Sequence, residues 1–404
     1  MVSSSSSPAA SAEADSPIVH VAFSSGASHF VASTATGFHV FSCDDDKVER
    51  VHYKSDAVAS PGVVVTSAEL LTRSRVAVVT QMAGAVKGAA EHHAIYFWDE
   101  ESGEAKQIAI GSTKTPDLGP VGGLRLLGSH VLVAGQQMAM LVISGDLKSR
   151  KLVQTGPNPL GLCALAVDQE TRLVCALPRP EKGAVQVRRT GKPGSVDVHA
   201  HASSLSCIAL SRDGRLLATA GSKGTLVRIF STDDGTMLQE LRRGIDRADI
   251  HCIAFSPDFR WLAVSSDKGT VHVFPVASID KATSTMAGGD RDALLVAPSR
   301  AAASPPPPAA AKQGSLLPSF LKGYLPSYFS SERSLAQVRL RKGVEYAVEF
   351  WRHHPNIILI VGTDGSFYRC GFDPLNTGEM KQLEHKRFMK IKESEDSQRV
   401  QSET

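Results

Sequence analysis

The chain has 404 residues, long enough for a large core, and its 44 basic and 41 acidic side chains leave a formal charge of only +3. That balance excludes a nucleic-acid binder driven by bulk charge, so any anion recognition must be local. The six cysteines form no C-x-x-C pair and have no histidine at zinc-finger spacing; most sit in apolar runs, as in Ser206-Cys207-Ile208, and read as buried reduced thiols, with no metal or cofactor expected.

Residues 1–17 are Ser/Ala-rich and acidic at Glu13 and Asp15, with no Lys or Arg before Lys47. They carry neither a secretory nor a transit signal and read as disordered. Residues 19–41 give an apolar run, a second run at Val31-Ala32-Ser33, a Thr36-Gly37 turn and a third run at Phe38-His39-Val40-Phe41. Asp44-Asp45-Asp46 reads as a solvated acidic turn or a protein contact. Related units fall around 94–98, 131–142 and 162–187.

The clearest copies are 206–225, SCIALSRDGRLLATAGSKGT, and 251–270, HCIAFSPDFRWLAVSSDKGT, offset by 45 residues and identical at 11 of 19 positions from Cys207/Cys252 onward. Each alternates apolar strands with short turns, the pattern of an antiparallel sheet. A 59-residue insertion, 277–335, follows, with Pro305–Pro308 inside it. Residues 346–368 make the last unit, and 389–404 read as a loose charged tail. Residues 18–276 and 336–388 divide into seven units of about 45, the length of a WD-type blade. The expectation is an all-β, seven-bladed propeller over 18–388 with a long insertion in blade six. Trp98-Asp99 is the only Trp-Asp pair, so this rests on strand spacing.

Leu241-Arg242-Arg243-Gly244 lies on the strand joining the two clear repeats. Successive strand side chains point to opposite faces, so adjacent arginines should serve separate grooves. A guanidinium fork suits phosphate. The dipeptide alone fits a solvated outer strand better than a phosphate site. Its context is richer: His201, Thr219, Thr225 and Arg228 precede it, and Arg247, Ser265, Ser266, Lys268, Thr270 and His272 follow. The Lys-Gly-Thr turns also promise backbone N–H groups close to an anion.

L-R-R-G, A-H-x-S-x-L at 200–205, K-G-T-x-x-R at 223–228 and S-S-D-K-G-T-V-H-V-F at 265–274 together resemble the PROPPIN family of autophagy-related propellers. The resemblance covers about 18–388. It implies two headgroup sites on the rim, at blades five and six, for phosphatidylinositol 3-phosphate and the 3,5-bisphosphate. Carried over by position, the first takes His201, Thr219, Gly224, Thr225, Arg228 and Arg242. The second takes Arg243, Gly244, Arg247, Ser265, Ser266, Thr270 and His272. Gly221 departs from a serine frequent in the family, which removes a hydroxyl from the first site.

Within the insertion, Leu316, Phe320, Tyr324 and Tyr328 recur every four residues, as do Leu317, Leu321, Leu325 and Phe329, with Lys322 the only charge from 315 to 330. That is a helical stripe interrupted by Gly323 and Pro326. It suits an amphipathic segment that orders at a lipid interface or one packed on the propeller itself. The resemblance implies the first, together with a peripheral, monomeric protein on phagophore, endosomal or vacuolar membranes. It also implies an autophagy lipid-transfer protein as partner through the blade two to three region. No G-x-S-x-G, Walker loop or H-E-x-x-H occurs, and an enzyme is not expected.

Overall fold

The computed structural model describes residues 16–43, 47–54, 62–82, 94–110, 117–142, 150–277 and 331–389. They form seven sheets, each with four antiparallel strands, and no helix among the described residues, the seven-bladed propeller expected. Strands are lettered A to D from the channel outward. The blades span 18–54, 63–109, 123–154, 164–199, 205–242, 250–339 and 346–387, and the sixth encloses the insertion between its strands C and D. The expectations for residues 1–15, for Asp44-Asp45-Asp46, for 390–404 and for the stripe from Leu316 to Phe329 lie outside the described residues.

Each blade buries both faces, which is why strand B of blade 5 (Leu216–Gly221) and of blade 6 (Trp261–Ser266) is buried at every position. Alternation then sorts the side chains. In blade 5, Leu216, Ala218 and Ala220 pack with Leu262, Val264 and Phe274 of blade 6, while Leu217 and Phe230 pack with Val185 and Val187 of blade 4. The two repeats share their A–B turn. Ser211 Oγ donates to Asp213 (2.6 Å) and accepts from Leu216 N (2.9 Å); Ser256 does the same with Asp258 (2.6 Å) and Trp261 N (2.9 Å). Gly214 holds the left-handed position there at φ 67°, and Phe259 is held in it at φ 60°.

Among the described residues no strand is exchanged between the first and last blades, and side chains close the ring. Phe30 stacks on Phe41 (4.9 Å) and Phe367 (6.0 Å) and meets the edge of Phe388 (5.0 Å). Trp351, Leu359 and Met389 complete this cluster. Met389, assigned to the tail on sequence grounds, is 2% exposed because its side chain fills that seam. The A strands line a central cavity of about 400 Å³ containing the Glu69–Arg125 pair (2.7 Å) and Glu349, whose carboxyl burial pushes up to about 7.

Two blades carry a fifth, two-residue strand. Glu332–Arg333 runs parallel to strand D of blade 5 (Met237–Arg242), with Leu241 opposite Glu332 and Arg242 opposite Arg333. Gly378–Glu379 does the same on strand D of blade 6 (Ala336–Arg339). Of residues 331–335, counted with the insertion from sequence, 331–333 are thus tied to blade 5, where the returning chain satisfies an otherwise open strand edge, and Ser334 and Leu335 bond to blade 6.

Candidate functional site

Neighbours show where the two arginines go. Leu241 is fully buried in the cluster shared with blade 6. Arg242 therefore lies on the opposite side of the strand, with Glu240. Arg243 follows the strand's end and turns to the blade 6 side. Its Nε donates to Gly224 O (2.9 Å) and Nη2 to Asp246 O, and its charge acts on His272 of blade 6. Neither guanidinium serves the other's groove.

The first groove lies between blades 4 and 5. His201 Nε2 and Thr219 Oγ1 are 3.0 Å apart, and Thr219 is wholly buried. Arg228 donates from Nε to Glu240 Oε2 (3.0 Å) and from Nη1 to Ala200 O (2.6 Å). Arg242 Nε donates to Ser331 Oγ (3.1 Å). The half-buried Thr225 accepts the Arg243 amide at its carbonyl (3.0 Å). Burial, and then the neighbouring Arg228, lower His201 to about 4, so the ring is neutral near pH 7. Arg228 is thus matched by Glu240 within the groove (2.9 Å).

The second groove lies between blades 5 and 6. Ser266, Thr270 and His272 share with Leu262, Val264 and Phe274 the face toward blade 5. Ser266 Oγ is buried with no hydrogen-bond partner among the described residues. Burial, and then Arg243, lower His272 to about 4, and its Nδ1 lies 3.1 Å from Ser334 Oγ. Arg243 is 9% exposed, and burial lowers its guanidinium below the ordinary range; Asp267 and Asp246 oppose that shift from a distance. Gly244 is half-buried with open space at its Cα, and Arg247 is exposed.

Two sequence assignments come out differently. Ser265 faces away from this groove and donates to Tyr346 O of blade 7 (2.6 Å), because adjacent strand residues alternate. The Gly224 amide is spent inside its turn on Gly221 O (2.8 Å), and a side chain there would strike Ala248 O. Glycine at this position allows close backbone packing rather than offering an N–H to an anion.

Gly221 also has a steric cause. A Cβ there would lie 2.5 Å from Ser203 Oγ and 3.1 Å from the His201 ring. Ser203 thus brings a hydroxyl to the place where the family's serine would carry one. Sequence reasoning quoted Ser203 within A-H-x-S-x-L without assigning it to a site, and missed Glu240, Ser331 and Ser334. Glu240 was legible, since it sits two residues before Arg242 on the same strand face. Ser331 and Ser334 carried no local signal, because they reach the grooves only through the fold.

Neutral imidazoles, short hydroxyls and guanidinium groups are donor chemistry of the kind that suits a phosphorylated polyol. A family model described as PROPPIN matches residues 19–289. Autophagy-related protein 18e of Arabidopsis thaliana is 32% identical over 395 residues, covering 96% of this chain and 92% of that protein. Autophagy-related protein 18 of Yarrowia lipolytica is 26% identical, over 64% of this chain and 72% of that protein. Among solved structures, Kluyveromyces lactis Hsv2 with its complete loop 6CD has a TM-score of 0.64 at 20% identity, covering 93% of this chain and all of that one. KlAtg21 in complex with the coiled-coil of AgAtg16 has a TM-score of 0.65 at 16% identity, over 92% and 99% of the two chains.

Proposed function

The chain belongs to the PROPPIN family, and from that premise we propose that it is a non-enzymatic phosphoinositide effector that docks on membranes bearing phosphatidylinositol 3-phosphate or the 3,5-bisphosphate. The observation that carries this is the divergence of Arg242 and Arg243 into separate grooves, each with a neutral histidine and hydroxyls. Each guanidinium clamps one lipid phosphate at the disc's rim, so two headgroups bind per chain.

The insertion is the second half of the device. Its ends leave and rejoin blade 6 beside the second groove. The apolar stripe Leu316, Leu317, Phe320, Leu321, Tyr324, Leu325, Tyr328 and Phe329 enters the lipid interface once headgroups hold the rim. A headgroup held at micromolar affinity is worth about 8 kcal/mol, two on one rigid rim add avidity of roughly 10²–10⁴, and each buried aromatic adds on the order of 1 kcal/mol or more. Firm residence therefore requires all of them together.

The relatives' names support a role in autophagy, and within it we assign the protein to autophagosome formation and to endolysosomal membranes. KlAtg21 was solved with a coiled-coil partner. Here a cavity of about 800 Å³ between blades 2 and 3, lined by Thr72, Phe97, Trp98, Lys106 and Val131, suits a protein segment with apolar anchors. We assign it to an autophagy protein, with the lipid-transfer class as first candidate.

Vesicle flotation tests the lipid assignment. Wild-type protein should float with vesicles containing the 3-phosphate or 3,5-bisphosphate and stay in solution with unphosphorylated phosphatidylinositol. Arg242→Thr with Arg243→Thr should abolish flotation at an unchanged melting temperature. Wild-type flotation by that variant would leave only a protein scaffold. Phe320→Ser with Tyr328→Ser should shorten vesicle residence without changing soluble headgroup binding.

A further inference from the structure

We propose that Arg339 is a second cation of the second groove and that it selects the headgroup there: the groove between blades 5 and 6 reads the 5-phosphate of the 3,5-bisphosphate, and the groove between blades 4 and 5 does not. This rests on the phosphoinositide assignment of the two grooves and adds which of them takes the second phosphate.

Strand register places Arg339. In strand D of blade 6, Val338 is buried in the cluster that holds Tyr346 and Val348 of blade 7. Arg339, next along the strand, therefore faces blade 5. Its partner across the strands is Thr270, and the partner of His272 is Gln337. Arg339 thus stands beside Thr270 on the wall that already carries His272 and Ser266. The end of the strand is pinned, with Leu340 N donating to Gly269 O (2.5 Å) and Gly343 N to Asp267 O (3.0 Å). Arg339 is exposed, and among the described residues no hydrogen bond or ion pair engages its guanidinium. Glu379, which the added edge strand sets beside Gln337, forms no ion pair with it, and Asp267 is held by Lys268 (3.1 Å).

The same register shows why the first groove differs. Arg228 pairs across blade 5 with Glu240, whereas His272 pairs across blade 6 with Gln337. A carboxylate answers a cation on the blade 5 wall of the first groove, and a neutral amide holds the matching place in the second. The facing walls differ as well. Arg243 crosses from the end of blade 5 into the second groove, where its charge acts on His272. The chain leaving strand D of blade 4 brings Ala200 and the neutral His201 to the first groove instead. The second groove therefore has a guanidinium on each wall, and the first has its guanidiniums on the blade 5 wall, facing an imidazole.

An inositol ring phosphorylated at both C3 and C5 presents two phosphate monoesters on ring positions separated by one carbon. One guanidinium fork clamps one phosphate. The second phosphate then needs its own donor on the other side of the ring, and Arg339 rises from the wall opposite Arg243. Arg243 is buried and tied to backbone carbonyls, so it holds the 3-phosphate. Arg339 stays solvated until a 5-phosphate arrives, so a monophosphorylated headgroup gains little from it.

Titration calorimetry with soluble inositol 1,3-bisphosphate and inositol 1,3,5-trisphosphate tests this in single-site chains. Arg242→Thr leaves the second groove and Arg243→Thr the first; Arg243→Gln serves if the threonine variant melts early. With the second groove alone, the trisphosphate should bind about 5–10-fold tighter than the bisphosphate, the value of one charge-assisted hydrogen bond at an exposed site. Adding Arg339→Gln should cut that preference to about 2-fold or less at an unchanged melting temperature, and Arg339→Lys should keep most of it. With the first groove alone, the two probes should bind within about 2-fold of each other, with or without Arg339. A preference that survives Arg339→Gln, an equal preference in the first groove, or a loss that strikes both probes alike overturns the proposal and leaves the lipid assignment standing. No binding of either probe by the wild-type chain overturns the lipid assignment itself.

Discussion

Blades 5 and 6 are near copies 45 residues apart, yet they treat their arginines differently. Blade 5 sets Arg228 against Glu240 inside its own groove, so one of two cations is neutralised before a ligand arrives. Blade 6 faces Arg243, which among the described residues bonds backbone carbonyls alone and holds its charge in a buried place. It also holds Ser266, a buried hydroxyl with no partner among the described residues. A repeat preserves strands and turns; the strength of each site is decided by single substitutions on one face of one strand. The second groove should therefore be the tighter of the two.

The most direct way to break this comparison is to remove each arginine alone. Arg243→Thr should weaken binding to vesicles bearing the 3-phosphate by about 30-fold or more, and Arg242→Thr by about 5–10-fold. Equal losses would mean that the Glu240 pairing does not matter. Gly221→Ser asks about space instead. The added Cβ would press on Ser203 and His201, so we expect a loss of about 1–3 kcal/mol in urea unfolding, recovered by adding Ser203→Gly. A fully stable Gly221→Ser chain would show that Ser203 yields freely.

Acidification probes the buried imidazoles. His201, His272 and His20 in the channel are each lowered to about 4 from 6.5, burial being the main cause. The unfolded chain thus binds more protons between those values. Stability is fully present above about pH 6.5 and is lost as pH falls toward 4, by on the order of 1–3 kcal/mol per fully buried ring. Denaturation followed from pH 7 to 4 should show the fall, and His272→Asn should make it shallower. A slope that His272→Asn leaves untouched would place the proton uptake elsewhere. The smallest effect is a gain. Glu240→Gln frees Arg228, and headgroup affinity in the Arg243→Thr background should rise about 2–5-fold. A loss would mean that Glu240 positions Arg228 for the ligand.

Most of the propeller was legible because its signals are local. Strand alternation, the Ser-x-Asp turns and the repeated Lys-Gly-Thr turn all lie within about twenty residues of one another. The divergence of Arg242 and Arg243 needed only strand geometry. What escaped was set by pairing across distance. Ser331 meets Arg242 across 89 positions and Ser334 meets His272 across 62, and no local pattern encodes a two-residue edge strand. Ser265 and Gly224 failed for a different reason: their types suit an anion, but the neighbouring blade and loop already use Ser265's hydroxyl and the space beside Gly224.

Headgroup stoichiometry tests the central claim most directly. Calorimetry with soluble inositol 1,3-bisphosphate should count two sites on the wild-type chain, one on Arg242→Thr, one on Arg243→Thr and none on the double variant. One site on the wild-type chain, abolished by either single substitution, would mean that the two arginines share a pocket and would contradict the account.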